Sequence, residues 1–442
     1  MATAISTSHS TVISGWGGYP LQQARVLKPS SLNNYKTYLQ QNACVIARGM
    51  GRSYGDSANS KKILQSNYLN RFISFDHENG VLICDAGLSI NEILSLIVPR
   101  GWFIPVAPGT SFVSIGGAIA SDVHGKNHHH QGCFSEHLLS FELMLADGSI
   151  TQVSRSHLPD LFQATCGGMG LTGFIVSACI QLKPIKSSQI NQSLVKCGSL
   201  EEVCDQFYIN RDKTYSVAWI DCLSSGKNFG RSVLMVGEHS ESGKLSVSKK
   251  APINIPFNMP ASLLNSYSIR LFNSIYYHSF STQSDINISY EKFFYPLDGI
   301  RNWNRLYGKA GFIQYQFVIP MAVGIEGLKK ILVKIVDSGL GSFLAVLKCF
   351  GPANANYLSF PIEGFTLALD FKLSDSVIKL VSNLDPMVVD MGGRIYLTKD
   401  ALMNDTTFKS CYPLWENFEQ VRSKYGAIGK FSSIQSKRLG LQ

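Results

Sequence analysis

Three glycine-dense loops, each beside an apolar run, are the feature that most limits how the first part of this chain can fold. The first loop covers residues 47–56 and follows the apolar run 44–46. Glycine adopts φ > 0 and lets the backbone approach a ligand, so successive N–H groups can converge on an anion such as a diphosphate. The loop matches neither the G-x-G-x-x-G fingerprint nor a Walker A loop, and alone it fits a structural tight turn equally well.

The second glycine-rich region, residues 108–130, has Gly116 and Gly117 at the start of a run of small residues. Small side chains there indicate that a flat group lies against the backbone. We expect no metal at the histidines 128–130, because adjacent histidines point in different directions and no cysteine or acidic partner stands at ligand spacing. The third loop, residues 167–173, leads into a β-rich run. Three such loops favour an elongated dinucleotide over a mononucleotide.

The length of 442 residues predicts two domains, each able to bury its own core. Residues 1–187 alternate short β-rich runs with helical stretches, which is typical of an α+β or α/β fold. Residues 188–393 carry longer apolar runs with amphipathic helices between them, and this pattern predicts a sheet covered by helices. Residues 239–262 are rich in Ser, Pro, Gly and Lys and predict a long surface excursion.

The composition is that of a globular protein, with 45% hydrophobic and 16% charged residues. No run approaches the ~20 apolar residues of a transmembrane helix, and no secretory signal peptide is evident. The ten cysteines follow neither a disulfide nor a metal spacing. We therefore expect reduced thiols in a reducing compartment, which favours the cytoplasm.

The net charge is +9, but the basic residues are dispersed and form no stripe for nucleic acid. We therefore expect no nucleic-acid partner. A solvated basic surface accounts for most of the charge, and a phosphate-bearing substrate or an anionic membrane surface accounts for the rest equally well.

The order of the glycine loops resembles the vanillyl-alcohol-oxidase-type flavoproteins and, within them, the family of decaprenylphosphoryl-β-D-ribose 2′-oxidases, which are the flavin subunits of an epimerase. The resemblance runs along nearly the whole chain. It rests on ARGMGRSYGD, PGTSFVSIGGAIASDVHGKNHH, LTGFI, WNRLYGKAGFIQYQFVIP, FGPANANYLSFPIEGF and IYLTKD. It implies an α+β fold with an FAD-binding domain of two α/β subdomains (1–187), a substrate domain with a mainly antiparallel, helix-covered sheet (188–393) and a C-terminal return to the FAD-binding domain (394–442).

The resemblance implies that FAD lies along the glycine loops. The implied cofactor-binding residues are Ala47, Arg48, Gly49, Met50, Gly51, Arg52, Ser53, Tyr54, Gly55, Asp56, Ser57, Gly109, Ser114, Ile115, Gly116, Gly117, Ser121, Asp122, Val123, His124, Ile175 and Tyr396. Many members of the superfamily hold the flavin covalently through a histidine just before the serine of the first loop. Arg52 stands there, so we expect non-covalent FAD, with attachment through another residue such as His124 as the alternative.

Polar groups in the second half predict a sugar site. Gln314 and Gln316 have the period of two that puts both on one side of a strand. A lysine in apolar surroundings either reaches solvent or serves an anion, and the resemblance places Lys399 near the flavin and Lys348 nearer the substrate. The implied catalytic residues are Lys399, His124 and Tyr54, with His124, Tyr54 or a water held by Lys399 as the base. The implied substrate-binding residues are Gln314, Gln316, Lys348, Thr366, Ala368 and Lys126.

Two positions depart from the family pattern. Ala368 replaces the family's cysteine, so thiol-directed inhibitors would lose their anchor, and Thr366 replaces its asparagine, which puts the sugar or its lipid in doubt.

The activity that the resemblance implies is oxidation of the 2′-hydroxyl of a polyprenylphosphoryl ribose to a 2-keto sugar at the membrane surface. A separate NADH-dependent short-chain reductase would complete an epimerisation, and a quinone or oxygen would accept the electrons. We expect no nicotinamide site in this chain. The alternatives are an alditol or aldonolactone oxidase acting on a soluble sugar, and a flavin-binding scaffold without chemistry.

Overall fold

The computed structural model describes residues 9–247, 251–260 and 262–441. Within these ranges no helix is both long enough and apolar enough to cross a membrane.

Two principal sheets and a short strand pair form the N-terminal half. Their strands are β1 (His9–Ile13), β2 (Gln22–Leu27), β3 (Val45–Arg48), β4 (Lys62–Gln65), β5 (Phe72–Asp76), β6 (Val81–Asp85), β7 (Trp102–Phe103), β8 (Leu138–Met144), β9 (Ile150–Val153), β10 (Phe174–Gln181) and β11 (Lys183–Pro184). The first sheet has the order β1-β2-β4-β3, with β2, β4 and β3 parallel. The second has the antiparallel order β5-β6-β10-β8-β9, and β7 pairs with β11.

The helices of this half are short. They are α1 (Leu32–Gln41), α2 (Ile90–Ile97), α3 (Ile115–Ala120), α4 (His128–Gln131) and α5 (Pro159–Thr165). Helix α2 shows why they form: Ser89 and Glu92 make a capping box at its start. Its apolar side chains at i, i+3, i+4 and i+7 are buried in the main hydrophobic core. These are Ile90, Ile93, Leu94 and Ile97.

An eight-stranded antiparallel sheet forms the core of the second half. Its strands are β12 (Gln189–Cys197), β13 (Tyr215–Ile220), β14 (Ser232–His239), β16 (Gln283–Ser289), β18 (Phe312–Pro320), β19 (Ala345–Phe350), β20 (Gly364–Lys372) and β21 (Arg394–Ile395), in the order β16-β12-β14-β13-β19-β20-β18-β21. A separate parallel pair joins β15 (Ile253–Asn254) to β17 (Ile300–Arg301).

The helices of the second half are α6 (Leu200–Ile209), α7 (Ser266–His278), α8 (Tyr290–Phe294), α9 (Gly324–Ser338), α10 (Asp375–Asp390), α11 (Asp405–Cys411), α12 (Trp415–Lys424) and α13 (Ile434–Arg438). Helices α6, α9 and α10 cover one face of this sheet, and the other face packs against the glycine loops and helices α7 and α8. On β18, Tyr315 and Ile319 point toward the covering helices α6, α9 and α10, and the Tyr315 hydroxyl donates to Asp385 of α10 at 2.9 Å. Side chains alternate along a strand, so Gln314 and Gln316 point the opposite way.

The C-terminal helices return to the first glycine loop. Phe431 bridges to Val45 of β3, and Arg438 pairs with Asp56 at 2.7 Å and with Asp400 at 2.9 Å. Burial raises the pKa of Asp56, and Arg438 opposes this rise. The pair therefore holds the end of the loop against the turn that carries Asp400. The domain boundaries at 187 and 393 stay predictions.

A buried carboxyl group makes stability depend on pH. Burial raises the pKa of Asp385 to about 7, and the unfolded value is about 3.9. Between these two pKa values the folded state keeps a proton that the unfolded state has lost. The free energy that this proton binding contributes to stability is lost as the pH rises from about 4 to about 7. We expect Asp385→Asn to be more stable than the wild type above pH 7 by roughly 1–4 kcal/mol. Urea unfolding at pH 4 and pH 8 checks this, and an equal difference at both values would contradict it.

Candidate active site

Five of the six predicted substrate residues, all except Lys126, share one face of the eight-stranded sheet. Gln316 is paired with Ala368, and Lys348 is paired with Thr366. Directly paired residues lie on the same face, and Gln314 is two positions from Gln316 on that face. The structure therefore brings together the five predicted sheet residues, which come from three strands.

The first glycine loop closes against the second one. A Cβ atom on Gly49 would lie 2.1 Å from the Ser114 Oγ atom, which also accepts the N–H of Gly117 at 3.2 Å. A Cβ atom on Gly55 would lie 1.8 Å from the carbonyl oxygen of Asp400. These glycines are needed for close backbone approach.

Tyr54 and Lys399 meet where the first loop reaches the turn after β21. The Tyr54 N–H donates to the Thr398 carbonyl at 3.0 Å, and the Lys399 Nζ atom lies 3.8 Å from the centre of the Tyr54 ring. Both side chains are half-buried. The structure thus places two of the three predicted catalytic residues in contact.

His124, the third predicted catalytic residue, lies against the eight-stranded sheet. Its Nε2 atom is 3.2 Å from the Gln316 amide nitrogen. An amide nitrogen only donates, so Nε2 accepts and Nδ1 carries the ring proton. Among the described residues this buried Nδ1 has no hydrogen-bond partner. Burial, and then the charge of Lys348, hold the pKa of His124 well below its usual range, so the ring is neutral.

Three half-buried lysines, Lys126, Lys348 and Lys399, surround this face of the eight-stranded sheet. Burial lowers the pKa of Lys348 to about 8 and, with repulsion from Lys348, lowers the pKa of Lys126 to about 7. The Lys126 ammonium donates to the Phe293 carbonyl and lies 4.3 Å from the centre of the Phe293 ring. Amino groups that are shielded from water in this way favour an anionic ligand, because an anion offsets their desolvation.

Sequence reasoning did not single out Asp370, which lies on the same face. It is paired with Gln314 across the strands, and the Gln314 amide donates to its carboxylate. Burial raises the pKa of Asp370, whereas burial lowers the pKa of Lys399 and the negative charge of Asp370 opposes that fall. The available signal was the spacing of two, which puts Asp370 on the same face of β20 as Thr366 and Ala368.

Some predicted cofactor residues use their side chains to hold the protein together. Arg48 donates to the Asn59 side chain at 2.6 Å and to the Ser14 carbonyl at 2.7 Å. The Asp56 carboxylate is bound by Arg438, as described above. Both side chains are thus bound by protein atoms.

The side chain of Asp122, another predicted cofactor residue, also holds the protein together, through four hydrogen bonds. Its buried carboxylate accepts hydrogen bonds from the loop between β19 and β20 and from the N–H of Ser135. The side-chain donors are Asn354 at 2.8 Å, Asn356 at 2.8 Å and Ser359 at 2.7 Å.

The other predicted cofactor residues line or support the space between the loops and the sheet. Arg52 lies 3.9 Å over the ring of Trp16, and its Nε atom has no partner among the described residues. The Tyr396 hydroxyl donates to the Ser121 carbonyl at 3.3 Å. The half-buried positions are Ala47, Gly49, Met50, Gly51, Ser53, Gly116 and Gly117, the buried ones are Ser57, Ile115, Val123 and Ile175, and Gly109 is exposed.

These features fit a long flat cofactor. Many of the loop residues stay half-buried although buried core residues surround them. The buried nitrogens of His124 and Arg52 that have no partner among the described residues are available to a ligand. The histidine run is explained by local bonds: His128 Nδ1 accepts the Gly351 N–H at 3.2 Å, and His129 Nε2 is 2.9 Å from the Lys213 carbonyl. In the part of the chain that the structure describes, no group of three or more His, Cys, Asp or Glu side chains could hold a metal.

The third loop does contain the spacing G-x-G-x-x-G, at residues 168–173. It runs from α5 into β10. The dinucleotide fingerprint instead follows a strand and opens a helix, so this match does not indicate a nicotinamide site.

Comparison with known proteins defines the class. Residues 32–154 match the family model described as FAD binding domain. The chain is an FAD-dependent oxidoreductase with the α+β, vanillyl-alcohol-oxidase-type fold, so the predicted fold class, enzyme class and cofactor are confirmed.

Relatives give the family. The chain is 37% identical over 412 residues to the decaprenylphosphoryl-beta-D-ribose oxidase of Mycolicibacterium smegmatis, covering 90% of this chain and 89% of that protein. It is 29% identical to an uncharacterized protein in the mprA 5′ region of Streptomyces coelicolor, covering 80% of this chain and all (100%) of that protein. A putative D-arabinono-1,4-lactone oxidase of Neurospora crassa is 28% identical over 34% of this chain and 27% of its own length. The chain belongs to the decaprenylphosphoryl-β-D-ribose oxidase family.

The glycine contacts predict which substitutions disturb the cofactor site. A methyl group on Gly49 would collide with Ser114, whereas one on Gly299, outside the predicted cofactor residues, would meet no protein atom within 4 Å. We expect Gly49→Ala to purify with less than half the wild-type FAD content and Gly299→Ala to keep it. Flavin absorbance per protein checks this. Adding Ser114→Ala to Gly49→Ala should restore part of the FAD, and full FAD in Gly49→Ala alone would contradict the model of close loop contact.

Proposed function

We propose that this enzyme oxidises the 2′-hydroxyl of a polyprenylphosphoryl ribose to a 2-keto sugar, the first half of an epimerisation to the arabinose form. The observation that carries the proposal is the group of three half-buried lysines around one polar sheet face, in a chain of this family. An ordinary neutral sugar would leave the desolvated amines of Lys126 and Lys348 without a counter-charge, whereas Lys399 has Asp370.

The residues of the face would divide the substrate between them. Lys126 and Lys348 would hold the phosphate, since repulsion from Lys348 is one cause of the lowered pKa of Lys126 and an anion between them would relieve it. Gln316 would bind sugar hydroxyls. Its amide donates to the Thr366 hydroxyl at 3.3 Å, and that hydroxyl donates to the Phe317 carbonyl at 2.8 Å. Thr366 thus positions Gln316, and the half-buried Ala368 beside it leaves room and offers no thiol.

Bound FAD would supply the acceptor for the hydride of the carbinol carbon. We propose that it is held non-covalently along residues 47–57 with 109 and 114–117. The Arg52 guanidinium, stacked on Trp16, occupies the place of the linking histidine. Acid denaturation should therefore release the flavin into the supernatant.

Lys399 is the residue best suited to take the hydroxyl proton. The pKa of Tyr54 is raised by burial and the pKa of His124 is lowered by burial, so the phenol keeps its proton and the imidazole is a weak base. Burial lowers the pKa of Lys399, which makes its neutral amine available. After taking the proton, the same group would be an ammonium, and its positive charge would balance the negative charge that the hydride brings to the flavin.

The 2-keto product would need a second enzyme, and we propose a separate NADH-dependent short-chain reductase as the partner. A quinone or oxygen would take the electrons from the enzyme. We also propose a cytoplasmic location with peripheral contact at the inner face of the cell membrane, because the lipid tail of the substrate lies in the bilayer.

Anaerobic loss of flavin absorbance on adding decaprenylphosphoryl ribose tests the function. We expect the wild type to bleach and Lys399→Ala to bleach at least about 100-fold more slowly, because it lacks the proton acceptor. A wild type that stays oxidised with this donor but bleaches with free alditols or aldonolactones would support the soluble-sugar alternative. One that bleaches with neither would support a scaffold role.

Asp370→Asn tests the role of Lys399 separately. The asparagine oxygen can still accept from Gln314, but the negative charge that raises the pKa of Lys399 is lost. The bleaching rate should rise with pH as Lys399 loses its proton, and in Asp370→Asn this rise should move about one pH unit lower. An unmoved pH profile would exclude Lys399 as the titrating base.

A further inference from the structure

Helix α7 is anchored on the sheet by a polar side chain and turns its apolar side chains outward. The Asn273 amide is fully buried and donates to the Asp221 carboxylate at 2.9 Å. The side chains at i, i+4 and i+8 are exposed: Tyr267 by 84%, Leu271 by 63% and Ile275 by 62%. A surface helix ordinarily buries such a stripe, so this stripe is available to a partner.

The exposed apolar area continues onto the neighbouring segment. Arg305 holds that segment by donating to the carbonyls of Ile255 and Pro256 at 2.8 and 2.7 Å. Four more exposed apolar side chains are Ile253, Phe257, Leu263 and Phe272. We call these four side chains, together with the exposed stripe of α7, the α7 surface.

The α7 surface lies on the same side of the eight-stranded sheet as the candidate active site. Tyr276 of α7 packs on Trp219 of β13 with ring centres 4.7 Å apart. Trp219 begins a row of directly paired residues that continues through Val346 and Ala368 to Gln316. Three strand spacings of about 4.8 Å put the two ends of this row about 14 Å apart.

A chain of aromatic contacts leads from the α7 surface into the site. Ring centres are 5.6 Å apart between Phe272 and Phe343, 5.6 Å between Phe343 and Tyr307, and 4.2 Å between Tyr307 and Phe312. Phe312 then meets Tyr54 at 5.4 Å. The apolar surface is therefore continuous with the wall of the reaction site.

The charge of this part of the chain favours an anionic partner. Between Glu241 and Asp285 the sequence has no carboxylate residue. The exposed Arg270 of α7 stands three positions after Tyr267 and is therefore next to the stripe. A basic residue beside exposed apolar side chains, on a segment without carboxylates, is typical of surfaces that bind anionic lipid headgroups.

We propose that the α7 surface is where this enzyme lies on an anionic lipid bilayer. The inference rests on the proposed function, because only a lipid-anchored substrate requires the site to open at the membrane. The apolar stripe enters the headgroup boundary, Arg270 meets the anionic lipids, and the aromatic wall connects that boundary with Lys399 and Tyr54.

Sedimentation of the purified holoenzyme with vesicles tests the surface without any substrate. Vesicles of phosphatidylglycerol and phosphatidylcholine in equal parts should carry the wild type down, and Leu271→Ser/Ile275→Ser should bind them at least tenfold more weakly. The matched control is Tyr208→Ser/Ile209→Ser, two side chains that are 69% and 65% exposed at the end of α6, on the opposite face. This control should bind like the wild type, and vesicles of phosphatidylcholine alone should bind more weakly.

Equal binding by both double variants, or no wild-type binding, would overturn the proposal. A wild-type dimer that Leu271→Ser/Ile275→Ser converts into a monomer, without vesicle binding, would show the surface to be a subunit interface instead. Bleaching by detergent-dispersed decaprenylphosphoryl ribose separates the two proposals. Bleaching without vesicle binding leaves the proposed function intact and removes this inference, whereas vesicle binding without bleaching removes the proposed function.

Discussion

The buried carboxylate of Asp122 joins the glycine-loop half of the chain to the eight-stranded sheet, and the geometry of the site depends on it. Its side-chain donors Asn354, Asn356 and Ser359 come from a loop of the second half. A buried charge is stable only when its hydrogen bonds are complete, so the two halves are held in one arrangement. His124, two residues further along, is thereby placed against Gln316.

Desolvation gives the site its chemical character. The same burial that lowers the pKa values of Lys126, Lys348 and Lys399 raises the pKa of Asp370. One negative group among three amines leaves a positive cleft that suits a phosphate. It also leaves one amine able to exchange a proton near neutral pH. Water exclusion therefore serves both binding and proton transfer.

The sequence predicted the parts of the site that depend on local pattern. Glycine density at residues 47–56 indicated close backbone approach, and the period of two put Gln314 and Gln316 on one face. Local pattern could not show that Arg48 and Asp56 bind protein atoms, because their partners Asn59, Ser14 and Arg438 are chosen by tertiary packing. Asp370 was not predicted for the same reason. It binds Gln314 of another strand, and its negative charge acts on Lys399 of a turn.

The sequence by itself determined the family, the α+β fold class and FAD as the cofactor, because long motifs and glycine spacing are properties of the linear chain. Only the tertiary structure decided which charges are desolvated and which apolar side chains stay exposed. Leu271 and Ile275 have a helical spacing that ordinarily predicts burial, yet Asn273 of the same helix faces the protein. Burial depends on what packs against a residue in space, and no spacing along one chain contains that information.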